Sequence, residues 1–132
     1  MFFPPNHSYT LHHLWLRPIG KQDVYVGVTD YAQKESGRIE MIELLPEGEK
    51  RKTEESFGLL YGSNKSIELL MPFNGSVLMT NQEIIQNPFL INVDPYNYWI
   101  AVISLKEKDI SELPFFLSSK EYVKAIFYPE NV

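Results

Sequence analysis

Residues 23–29 (D-V-Y-V-G-V-T) alternate, with Val24, Val26 and Val28 on one face. That is the two-residue period of a strand. Gly27 inside it predicts a bend or a close backbone approach. D-Y-A-Q-K-E-S-G follows. Asp30 with Gln33 three residues later matches a capping box, and Gly37 closes the segment as a C′ residue. These signals predict a helix of about two turns. Residues 38–45 fit neither period cleanly, and the short span between Gly37 and Pro46 favours a strand. The stretch 46–55 (P-E-G-E-K-R-K-T-E-E) is charged and reads as a solvated turn or edge.

Two apolar runs of equal length, 57–61 (F-G-L-L-Y) and 67–71 (I-E-L-L-M), flank a G-S-N-K-S turn composition. This is the clearest hairpin in the chain. Symmetric pairing puts its midpoint at Asn64, a residue type that tolerates tight turns. Asn74-Gly75 predicts another turn, followed by a strand over 76–80. Asn81 is placed to cap a short helix ending near Asn87-Pro88. Residues 93–97 read as a loop and 99–105 (W-I-A-V-I-S-L) as a buried strand. Asp109–Glu112 and Ser118–Glu121 both match the capping box, and the second opens a C-terminal helix. Many short strands, few helices and one core argue for a small mainly β barrel or sandwich.

At 132 residues, with 44% apolar and 14% aromatic, the chain fits one domain with its own core. Residues 1–8 read as a frayed N-terminal tail and 9–132 as the domain. The absence of cysteine excludes disulfides, thiol nucleophiles and cysteine-ligated metals, and fits a reducing compartment. The net charge of −5 and the lack of a basic run give little support to nucleic-acid binding. No apolar run approaches the ~20 residues of a membrane span, and the N-terminus matches neither a signal nor a transit peptide. Nucleotide-binding, P-loop, zinc-protease and serine-hydrolase motifs are absent. The histidines His7, His12 and His13 have no further ligands at metal-binding spacing. Paired carboxylates such as Glu40 and Glu43 read as solvated surface. Trp15, Trp99, Phe57 and Tyr31 read as core or core-rim residues.

Five stretches together resemble the H-protein family of the glycine cleavage system. They are Y-T-L-H-H-L-W-L-R (9–17), with His13, Trp15 and Arg17; V-G-V-T-D-Y-A-Q (26–33); Phe57-Gly58 with the hairpin and Pro72; N-P-F-L-I-N-V-D-P-Y (87–96) with Trp99; and S-S-K-E-Y (118–122). They occur in the family's order over roughly residues 9–128. The resemblance implies a mainly β barrel-sandwich hybrid, like lipoyl and biotinyl carrier domains, with short helices and a C-terminal helix. It also implies a non-catalytic cytoplasmic carrier with lipoate in amide linkage on a hairpin lysine. Such a carrier accepts an aminomethyl group from glycine decarboxylase and passes it to the aminomethyltransferase. Dihydrolipoyl dehydrogenase and lipoate-attachment enzymes are the other implied partners, with no nucleic acid and no membrane.

The hairpin departs from the family's pattern. The family reads approximately G-V-V-E-S-V-K-A-A-S-D-L-Y-A-P, and the same span here is G-L-L-Y-G-S-N-K-S-I-E-L-L-M-P (58–72). Without gaps the lipoyl lysine falls on Asn64, and Lys65 lies one residue later. Lys65 is therefore the candidate attachment site, displaced by one. A bulge or a change of turn type can absorb such a shift. The spacer between Tyr96 and Trp99 is also shorter than the family's. Two further readings remain: a binding module that has lost the arm, and a carrier-like domain serving another lipoate or acyl pathway. The charged 47–55 segment and the 61–66 tip are expected to form one partner-facing side, with Lys50, Arg51 and Lys52 aiding partner capture.

Overall fold

The structure is a computed structural model, and it describes residues 1–105, 109–112 and 116–129. Its elements in chain order are β1 (Ser8–Tyr9), β2 (Leu14–Ile19), β3 (Asp23–Val28), α1 (Asp30–Ser36), β4 (Ile39–Leu44), β5 (Lys50–Arg51), β6 (Ser56–Gly62), β7 (Ser66–Leu70), β8 (Gly75–Thr80), α2 (Gln82–Gln86), α3 (Leu90–Val93), β9 (Ala101–Ser104) and α4 (Ser119–Phe127), with a 3-10 turn at Ile110–Glu112 before α4. One sheet has the order β1-β2-β3-β9-β8-β5 and the other β4-β6-β7. All pairings are antiparallel. The sheets enclose a common core that includes Leu14, Val26, Phe57, Leu60, Leu69 and Ile103. This is the mainly β barrel-sandwich arrangement expected.

The predicted face of β3 is buried: Val24, Val26 and Val28 are each at most 1% exposed. β2 is buried on both faces at its start. Leu14 and Leu16 enter the main core, while Trp15 enters a second cluster with Tyr9 and Tyr122. Trp15 lies directly opposite Gly27. A Cβ on Gly27 would overlap the indole, so the glycine marks a close approach. The Trp15 indole N–H donates to the Pro95 carbonyl at 2.9 Å. β9 is shorter than the predicted 99–105 strand. Its four residues are all buried because it lies between β3 and β8.

Several expectations are corrected. The N-cap of α1 is Thr29, whose hydroxyl accepts from the Ala32 N–H at 3.2 Å. Asp30 is the first helical residue and its carboxylate accepts from the Gln33 amide at 2.7 Å. Residues 93–97 are not wholly loop, because Val93 ends α3. The N-terminal residues are docked rather than frayed. Ser8–Tyr9 pairs with β2, the Tyr9 hydroxyl donates to Pro4 O at 2.7 Å, and Phe3 packs on Tyr9, Tyr122 and Phe127. The Ser118–Glu121 capping box forms as predicted. At Asp109 the carboxylate accepts from the Ser111 N–H at 3.0 Å. The reciprocal half of that box needs the Glu112 side chain, which lies outside what is described.

Candidate functional site

The predicted hairpin is β6–β7, but its two strands are not matched residue for residue. Ser56 pairs with Leu70 and Gly58 with Leu69, so Phe57 is the extra residue of a bulge in β6. From there the register runs to Tyr61 opposite Ser66, and Gly62 N–H donates to Lys65 O at 3.1 Å. The tip is therefore the pair Ser63–Asn64, rather than Asn64 alone. Lys65 sits directly after it.

The tip is fastened to the end of α1. Ser63 N–H donates to Arg38 O at 2.8 Å, and Arg38 N–H returns a bond to Ser63 Oγ at 2.9 Å. Asn64 N–H donates to Ser36 O at 2.8 Å, and Lys65 N–H approaches the same oxygen at 3.4 Å. Carbonyls at a helix end lack intrahelical partners, and the hairpin supplies them. Gly37 makes the approach possible. It has φ 77° and ψ −152°, and a Cβ there would overlap Ser63 Oγ.

The receiving surface is held from below by Asn92 on α3. Its Oδ1 accepts from Ile39 N–H at 2.8 Å, and its Nδ2 donates to Gln33 Oε1 at 2.8 Å and to Gly37 O at 2.9 Å. One side chain thus ties α1, the bend at Gly37 and the start of β4 together. In sequence Asn92 is one position of the N-P-F-L-I-N run, with no role assigned to it. An amide with four hydrogen-bonding positions inside an apolar run was the available signal.

Lys65 is half-exposed (53%), and its ammonium lies 3.5 Å from Glu35 Oε1 on the last turn of α1. The Tyr31 hydroxyl makes a long contact of 3.5 Å to the same oxygen. Next to Tyr31 stands His13, ring centroids 5.0 Å apart. His13 Nδ1 bonds the Tyr122 hydroxyl at 2.8 Å, and Tyr122 in turn bonds Thr29 Oγ1 at 2.8 Å. Burial above all, then the charges of His12 and Lys65, holds His13 below the ordinary imidazole value of 6.5, with Glu35 opposing. Burial likewise pushes the Tyr122 phenol up. The segment carrying His12 and His13 is a turn, with His13 at φ 69°. Among the described residues no group of His, Asp and Glu is arranged to hold a metal ion.

Lys50, Arg51 and Lys52 do not join the tip. Lys50 and Arg51 form β5, and with Lys52 they precede the start of β6, whereas the tip is at the far end of that strand. Along the strand the separation is roughly 20 Å at about 3.3 Å per residue. The basic residues instead line a shallow depression of about 410 Å³ with Asn74, Ser76 and Leu105. The basic residues and the tip thus lie at opposite ends of β6, while Glu54 of the charged segment comes within 4.0 Å of His12.

A profile of the glycine cleavage H-protein family matches residues 7–127. The chain belongs to this family. It is 40% identical to the glycine cleavage system H protein of Clostridioides difficile, over 89% of this chain and 93% of that one. It is 38% identical to the one of Halothermothrix orenii, over 94% and 95%. The glycine cleavage system H protein of Bacteroides thetaiotaomicron is 36% identical, over 92% and 95%. The crystal structure of a glycine cleavage system H protein from Mycobacterium marinum superposes with a TM-score of 0.82 at 24% identity, covering 94% of this chain and 98% of that chain. This H-protein family member therefore shares the barrel-sandwich fold along nearly its whole length.

Proposed function

We propose that the chain is a glycine cleavage carrier with lipoate in amide linkage on Lys65. It moves an aminomethyl group between glycine decarboxylase and the aminomethyltransferase in the cytoplasm. Dihydrolipoyl dehydrogenase and a lipoate-attachment enzyme are its other partners. Bound there, lipoate supplies dithiol chemistry and reach, and the protein supplies position. The observation that carries this reading is the place of Lys65: half-exposed, directly after a hairpin apex whose backbone is tied to α1. The register beyond the Phe57 bulge supports it, because it closes the turn on Ser63–Asn64 and leaves Lys65 as the first residue after the apex. The residues fit an acylated lysine: the side chain leaves a rigid support and is not enclosed.

The competing reading is a binding module without an arm. The observation in its favour is Asn64, which takes the family's lysine position and whose N–H is bonded to Ser36 O. Intact mass after coexpression with a lipoate ligase and lipoate decides between them. The carrier reading expects a lipoyl adduct that is lost in Lys65→Ala. An unmodified chain, with Asn64→Lys gaining the adduct, would establish the binding module instead.

A further inference from the structure

Resting on the carrier reading, we infer that Glu35 is a positioning residue that sets the direction in which Lys65 meets the enzyme acylating it. The support is geometric. Lys65 lies directly before β7, whose Leu69 is buried in the core. Continuing the strand's alternation back from Leu69 and Ile67 puts Lys65 on the same side. At that level the strand's neighbour is α1, and Glu35 on its last turn meets the ammonium at 3.5 Å. The carboxylate is itself approached by the Tyr31 hydroxyl from one turn earlier on the same helix. The carbonyl end of α1, including Ser36 O, adds negative potential on the same side. A long lysine side chain at a tip has many rotamers, and a paired carboxylate narrows them.

The acylation it serves is a simple exchange. The Lys65 ammonium gives a proton to solvent, and the free amine attacks the carbonyl carbon of an acyl adenylate. The C–N bond forms while the C–O bond to the phosphate breaks. Its electron pair leaves with AMP, and the second nitrogen proton goes to solvent. The product amide carries no charge, so the ion pair exists only before modification and imposes nothing on the finished arm.

The test measures initial acylation rates of the full chain by intact mass, with a soluble lipoate ligase, for wild type, E35D, E35Q and E35K. A second measurement labels Lys65 with a small acetylating ester that needs no docking, read by peptide mass. An exposed ion pair is worth little, so E35Q should lower the ligase kcat/KM by about two- to fivefold. E35K should lower it further, and E35D should stay near wild type. Chemical labelling of Lys65 should change by less than about twofold, since an exposed pair barely restricts a small reagent. Unchanged ligase rates in E35Q and E35K would overturn the inference while leaving the carrier reading intact. Ligase and chemical rates falling together would overturn it too, by showing a general distortion of the tip. A wild-type chain that takes up no acyl group overturns both readings.

Discussion

Gly37→Ala tests the fastening of the hairpin to α1. At φ 77° and ψ −152° the backbone occupies a region that only glycine enters readily, and an L-residue there costs about 1–3 kcal/mol. The added Cβ overlaps Ser63 Oγ and lies 3.0 Å from Asn64 Cγ. The tip must therefore lift, stretching its bonds to Arg38 and Ser36. These bonds are close to solvent, so each is worth about 0.5–1.5 kcal/mol net, and losing one or two adds about 1–2. The total is roughly 2–5 kcal/mol. For a chain of this length that lowers Tm by roughly 7–18 °C. Urea and thermal unfolding followed by far-ultraviolet circular dichroism measure the loss. Hydrogen exchange should show the Ser63 and Asn64 amides losing protection first. A companion Ser63→Ala change removes the overlapped oxygen and should recover part of the loss. A Gly37→Ala chain within about 0.5 kcal/mol of wild type, with both amides still protected, would refute the reasoning.

Asn92→Ala removes three bonds that brace α1 against β4. It should cost about 2–4 kcal/mol in urea unfolding. Thr29→Ala removes both the α1 N-cap and a partner of Tyr122, and should cost about 1–2 kcal/mol in the same assay. His7 and His13 are both held below 6.5, chiefly by burial, with Arg17 adding to the effect at His7. The unfolded chain therefore binds these protons at higher pH than the folded one. Stability should be full above about pH 6.5, fall as pH drops through the lower folded values and flatten below them. Urea midpoints at pH 7.5, 6.5 and 5.5 check this, and equal midpoints would contradict it. Reversing charge at Lys50, Arg51 and Lys52 should leave ligase acylation of Lys65 unchanged, because these residues lie at the other end of β6. A slower reaction would show that the ligase reaches the hairpin base.

What was legible in the sequence was local. The Val24–Val28 alternation could be read because one face of β3 meets the core. The Ser118–Glu121 box could be read because both its bonds lie within one turn. Thr29 and Asp30 are adjacent capping types, and the sequence pattern pointed to Asp30 because of Gln33 three residues later. The structure gives the cap to Thr29, whose hydroxyl also meets Tyr122 on a distant helix. Docking of the N-terminal residues was hidden for the same reason. It depends on Tyr96, whose hydroxyl donates to Phe2 O, and on Tyr122 and Phe127, all remote in sequence. At the candidate site, Lys65 and the hairpin were legible from composition. Glu35, Gly37 and Asn92 were not assigned to it, because only the packing of α1 and α3 brings them to the tip.

The position of the displaced lysine follows from the register at the tip. Equal strands paired symmetrically would have centred the turn on Asn64. β6 instead gives two residues where β7 gives one, with Phe57 fully buried as the extra residue. Beyond the bulge the ladder runs from Gly58 opposite Leu69 to Tyr61 opposite Ser66 and closes on Ser63–Asn64. That leaves Lys65 opposite Gly62. Since alternate residues along a strand point to opposite faces, one step decides which neighbour a side chain meets. For Lys65 that neighbour is α1, the helix whose end already holds the tip through Ser36 and Arg38. The register and the fastening to α1 therefore act together: the first sets which residue follows the apex, and the second makes its position reproducible. A shifted lysine on a loose turn would offer an acylating enzyme many poses. On this support it starts from one backbone position, with Glu35 as the near charge.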